Sequence, residues 1–175
     1  MKSLLLALSF LTVIPIKTSA PQAGDLGRAA MWFPLIGLGL GAALAAAHTA
    51  LGFIFSPPLT AALVVALWAA ITGGLHLDGL ADCCDGLLTA ASPERRLDIM
   101  HDPRVGAFGV VGVVLFLAIK IGAVASLVPG SMPYVFLLAP GLARWLILPV
   151  AVQPQARPDG LGADFALGLN RLVFT

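Results

Sequence analysis

Four apolar stretches, residues 31–55, 59–75, 105–128 and 132–152, constrain this chain more than any other feature. Each approaches or exceeds the roughly 20 residues that a helix needs to cross a hydrocarbon core. Backbone polar groups in such stretches have no water to bond, so they must be satisfied within their own helix. The composition agrees: 59% hydrophobic and 11% charged residues, with a mean hydropathy of +0.97, against about 25% charged residues in a soluble domain. The fold class expected is all-α, a polytopic integral membrane helical bundle of four transmembrane helices forming one unit over residues 1–175, with no internal repeat. A net charge of +1 and the lack of a long basic run give no surface for nucleic acid.

Residues 3–16 are apolar but short for a span, and Lys17 and Pro21 argue against signal cleavage behind them. The expectation is an interfacial or re-entrant helix ending near Pro15. Residues 17–28 read as a polar link and residues 153–175 as a polar, glycine-rich tail. In the first span, Gly37, Gly39 and Gly41 leave one surface open to close approach by another helix, and His48 reads as a hydrogen-bonded core group. Eight of the ten Lys and Arg, and all nine Asp and Glu, lie before the first span, between the second and third, or after the fourth. Four crossings put those segments on one side, and the positive-inside rule makes that side the cytoplasm.

The second span runs directly into GGLHLDGLADCCDG, residues 73–86. Here Asp78, Asp82 and Asp85 fall four and three residues apart, on one face if the segment is helical. Like charges at that spacing repel; a hard divalent cation held by oxygen ligands would offset the repulsion, and a solvated acidic stripe is the bland alternative. Cys83 and Cys84, the only cysteines, are adjacent and read as reduced packing residues, neither a disulfide framework nor a zinc spacing.

Ser92-Pro93-Glu94 then marks a helix start, with a hydroxyl cap, a proline in the first turn and an acid near the positive end of the dipole. That short helix carries Arg95 and Arg96 and ends before Pro103. Lys120 and Arg144 interrupt the third and fourth spans. Lys120 reads as a snorkelling residue, whereas Arg144, in the cytoplasmic half of its span, is placed to meet an anionic group.

These segments resemble the adenosylcobinamide-GDP ribazoletransferase, or cobalamin synthase, family. The likeness rests on residues 73–86, on RLDIMHDPRVGAFG at 96–109, on FLTVIP at 10–15, on WFPLIG at 32–37 and on ARPDGLG at 156–162. It implies a bacterial cytoplasmic-membrane enzyme with its active face in the cytoplasm. Such an enzyme joins adenosylcobinamide-GDP to α-ribazole or its 5′-phosphate, releases GMP and needs Mg²⁺. The resemblance carries Asp78, Asp82 and Asp85 onto the metal and diphosphate site, and includes His76, Asp102 and Arg104 among its matched positions. It further implies that the chain is C-terminally truncated relative to the family. Its surroundings would be the lipid bilayer, with a homo-oligomer left open.

The chemistry follows from the residues as well. Cations held by the three aspartates would neutralise a diphosphate and orient an in-line displacement. Asp102, or a metal-free member of the trio such as Asp82, could take the hydroxyl proton. Arg104 and Arg144 would hold phosphate oxygens, with His76 beside the carboxylates. Two other classes stay open on sequence: a CDP-alcohol phosphotransferase, whose motif has arginine where this chain has Asp82, and a cation transporter, which would be expected to show polar groups reaching both faces.

Overall fold

The computed structural model describes residues 2–17, 20–128, 130–156 and 160–173, with side chains in the last helix up to Leu169. All regular structure among them is helical. The contacts resolve two compact units where the sequence reads as one: residues 1–49 with 128–175, and residues 50–127.

The first unit holds α1 (Lys2–Leu11), α2 (Asp25–Ala30), α3 (Phe33–Gly52), α8 (Met132–Trp145), α9 (Ile147–Ala151) and α10 (Leu161–Val173). Its core is built on Ala7, Leu11, Leu26, Ala29, Phe33, Phe165 and Leu169. Phe33 stacks on Phe10 at 5.8 Å and meets Phe165 edge-on at 5.7 Å, geometries that satisfy the ring quadrupoles. α2 and α10 were not expected. They lie where the sequence reads as a link and a tail, and they form because they bury apolar residues against each other and α1. Gly24, at φ 81°, turns the chain into α2 and donates its N–H to the Asp164 carboxylate. α1 stops at Leu11, earlier than expected, where the Thr12 hydroxyl donates to the Leu8 carbonyl at 2.7 Å and accepts the Ile14 N–H at 3.3 Å.

α3 and α8 are packed backbone to backbone. A Cβ on Gly37 would collide with the Pro140 carbonyl, and one on Gly41 with that of Phe136, whereas one on Gly39 would meet nothing within 4 Å. Of the three glycines expected to open a surface, two do so. His48 is buried against the Phe136 ring, 5.4 Å between centroids.

The second unit holds α4 (Pro57–Ile71), α5 (Leu75–Leu88), α6 (Pro93–Ile99) and α7 (Ala107–Ala125). The expected second span is divided: α4 ends at Ile71, and α5 leaves it at 91°. The corner is Gly73-Gly74, at φ 59° and 70°, left-handed conformations that residues with a side chain rarely adopt. Three helices, α3, α7 and α8 with α9, are long and apolar enough to cross a membrane, and the bent pair makes a fourth if it counts as one span. Lys120 does not simply snorkel. Its Nζ lies 3.3 Å from the centroid of the Trp68 ring, a cation–π contact between α7 and α4.

The glycine geometry gives a paired test. Gly37→Val should lower the thermal unfolding midpoint in detergent, since overpacking costs about 1–3 kcal/mol, while Gly39→Val should leave it within error. Equal midpoints for the two variants would contradict the α3–α8 packing.

Candidate functional site

The acidic motif lies on α5. Asp78 is exposed in the first turn, where a carboxylate suits the positive end of the helix dipole. Asp82 follows one turn on and is half-buried; Asp78, Asp85 and His101 all act electrostatically on it. His76 is exposed one turn before Gly79 and Leu80. Both cysteines are free thiols as expected; Cys84 packs where a Cβ on Gly112 of α7 would stand, whereas Cys83 is exposed and is not the packing residue expected.

Asp85 has a different environment from the other two. It is 8% exposed, and its oxygens accept the Gly106 N–H at 2.7 Å and the Gly109 N–H at 2.8 Å. It therefore caps α7 from another helix, satisfying two of the donors that a helix start leaves unpaired. Loss of a side-chain cap costs about 0.5–2 kcal/mol. Gly106 and Gly109 are glycines for a steric reason: a Cβ at either would run into the Asp85 carboxylate. The three aspartates share α5 as expected, but Asp85 is engaged by α7 in a way that Asp78 and Asp82 are not. Among the described residues, no group of three His, Cys, Asp or Glu side chains comes together as a metal site.

Mg²⁺ is commonly held by one or two carboxylates, with substrate phosphates and water completing its shell. Asp78 and Asp82 fit that donor set. Asp85 differs from them: each of its oxygens accepts one backbone N–H, which leaves it fewer lone pairs for a cation.

α6 starts as expected, with Ser92 Oγ accepting the Arg95 N–H at 3.3 Å. Arg96 reaches back to the Ala91 carbonyl at 3.1 Å, and Arg95 stands 4.0 Å from Asp98. Beyond α6, the Arg104 side chain grips both oxygens of Asp102 at 2.9 and 2.7 Å, and the Arg104 backbone N–H adds a third bond at 3.0 Å. This fork pushes the Asp102 carboxyl far below the usual carboxylate range. So held, Asp102 is a weak proton acceptor. Asp85, Thr89, Asp102, Arg104 and Gly106 line one open cleft of about 510 Å³ in this unit.

Arg144 belongs to the first unit. It is 3% exposed and continues the buried stripe of Phe136, Pro140 and Gly141 on α8. No ion pair to it forms among the described residues. Arg157 and Asp159, in the motif at 156–162, lie outside the described residues. The residues that sequence reasoning missed are Gly106, Gly109 and Gly112. Their spacing of three, opening an apolar helix, was the available signal for close contact with α5.

An all-helical chain with three to four helices long and apolar enough to cross a membrane, an acidic helix and Arg104 at an open cleft has the make-up of a membrane protein. The profile of the family described as Cobalamin-5-phosphate synthase matches residues 3–175. Relatives in Desulfitobacterium hafniense, Pseudomonas paraeruginosa and Stutzerimonas stutzeri are 43%, 46% and 44% identical, covering 94%, 95% and 98% of this chain and 67%, 69% and 71% of theirs. Each is named adenosylcobinamide-GDP ribazoletransferase. No solved structure matches. The chain belongs to the cobalamin-5-phosphate synthase family, transferases of cobalamin biosynthesis, which decides among the three classes left open above.

The Asp102–Arg104 pair makes a pH prediction. A carboxyl whose folded value is depressed stays ionised until the pH falls through that value, and any stability from the pair is lost progressively as the pH falls from the ordinary value to the depressed one. The ¹³C carboxyl signal of Asp102 should therefore stay flat through pH 3.8, its ordinary value, and Arg104→Met should restore a midpoint near it. An ordinary midpoint in the unsubstituted protein would remove the pair.

Proposed function

We propose that this chain carries the site that joins adenosylcobinamide-GDP to α-ribazole or α-ribazole 5′-phosphate, at the cytoplasmic face of a bacterial inner membrane. The observation that carries the reading is the family match over residues 3–175, together with the name that the relatives carry. The acidic face of α5 and the arginine in the neighbouring cleft support it.

In this reading Asp78 and Asp82 hold Mg²⁺. When bound, Mg²⁺ neutralises phosphoryl charge and helps orient an in-line displacement. Arg104 presents its fork to a phosphate, a geometry that an ammonium cannot reproduce. An incoming diphosphate competes with Asp102 for that fork, and Asp102, once released, regains the basicity of an ordinary carboxylate. It can then accept the proton of the attacking ribose hydroxyl. The hydroxyl oxygen forms a bond to the cobinamide-side phosphorus, the bond from that phosphorus to the bridging oxygen breaks, and GMP leaves with the bridging oxygen. Arg144 is proposed separately as an anion-holding group of the first unit, because a buried guanidinium with no acidic partner among the described residues is costly unless an anion or other acceptors meet it.

The test is incubation of membranes bearing the protein with adenosylcobinamide-GDP, α-ribazole and Mg²⁺, with product and GMP read by mass spectrometry. Asp78→Asn and Asp82→Asn should each lower turnover by more than about tenfold, since charge neutralisation by a metal is worth several kcal/mol. Near-normal turnover in both would remove the metal site. Arg144→Lys should raise KM or lower kcat at unchanged protein level; wild-type kinetics would leave Arg144 a packing residue.

A further inference from the structure

The acidic motif reads as three equivalent ligands, yet its last member is built into the protein. Asp85 is buried, one oxygen accepts the Gly106 N–H and the other the Gly109 N–H. The fit is reciprocal, because side chains at 106 and 109 would occupy the space that the carboxylate fills. Its neighbours extend the same seam: Ala81 is buried one turn earlier, and Cys84 fills the place of a Cβ at Gly112. Gly86 is close-packed on Met100 and the Arg96 carbonyl, which ties α5 to the end of α6. The segment carrying Asp102 and Arg104 is thereby fixed at both ends. One end is held through Met100 on Gly86, and the other through Gly106 on Asp85.

We propose that Asp85 is a positioning residue and not a metal ligand: it locks the start of α7 to α5, and so sets where Arg104 and Asp102 stand in the cleft. The proposal rests on the reading of Asp78 and Asp82 as the metal pair and narrows it to those two carboxylates. An acceptor that both neutralises the positive end of α7 and bridges two helices is hard to replace. Asn keeps one carbonyl acceptor but turns an amide donor toward the second N–H.

Three readouts separate the roles in the purified chain and in membranes. Mn²⁺ binding, followed by electron paramagnetic resonance, should weaken by more than about tenfold in Asp78→Asn and Asp82→Asn but stay within about twofold in Asp85→Asn. Hydrogen exchange in peptides covering residues 106–109 should speed up by about tenfold or more in Asp85→Asn and in Gly109→Ala, which attacks the same contact from the other side. In the transferase assay, Asp85→Asn should raise KM for adenosylcobinamide-GDP and lower kcat by about tenfold or more at unchanged protein level, since the Arg104 fork and the Asp102 base both lose their placement. A merely structural role would reduce the amount of active protein and leave KM alone. Mn²⁺ binding weakened in Asp85→Asn as much as in Asp82→Asn, with exchange at 106–109 unchanged, would overturn the proposal. If the unsubstituted chain binds no Mn²⁺, the assignment of Asp78 and Asp82 as the metal pair fails, while the exchange and kinetic readouts still decide the role of Asp85.

Discussion

The second unit depends on one carboxylate meeting two backbone amides. A helix start leaves its first N–H groups without intrahelical partners, and Asp85 is buried where it meets those of α7. Asp85 supplies acceptors from a separate helix, which ties the start of α7 to the middle of α5. The sequence cost is two glycines, at 106 and 109, where anything larger would expel the carboxylate. Once that contact is made, the intervening segment has little freedom left. α6 and the Asp102–Arg104 pair hang between two fixed points.

Elsewhere the chain uses a related device without charge. Helices of similar hydrophobicity gain nothing by leaving lipid for each other, so association must come from fit. α3 and α8 achieve it by bringing backbone against backbone at Gly37 and Gly41. α2 and α10 do the same at Gly27 and Gly168, where added Cβ atoms would strike the opposite backbone. Side-chain polarity enters where it has a partner: Lys120 on the face of Trp68, and Asp164 on the N–H of Gly24.

How much of this was legible follows from the range of each signal. The long apolar runs were plain, and three of them are helices of spanning length. The Ser92 cap was also legible, because a cap is a local pattern and its geometry is decided within one turn. The 91° corner was harder: hydropathy runs on through it, and only Gly73-Gly74 marks it. α10 was readable in principle from Phe165 and Leu169, four residues apart and both buried, but the glycines around them favoured a tail. In the site, the spacing of Asp78, Asp82 and Asp85 correctly implies a shared helix. It could not reveal that Asp85 is spoken for by residues 21 and 24 positions further on.

The corner at Gly73-Gly74 bears on the lipid as well as on the chain. α4 has 15 residues, which at 1.5 Å per residue gives a helix of about 22 Å, against a hydrocarbon core of about 30 Å. Where α4 serves as a crossing element, it falls short of an unperturbed bilayer by roughly a quarter of the thickness. The membrane around it must thin, or headgroups and water must dip toward α5 to keep Asp78 and Asp82 solvated. On that condition the acyl-chain length of the host membrane would act on the acidic helix through hydrophobic mismatch, without any contact between lipid and carboxylate.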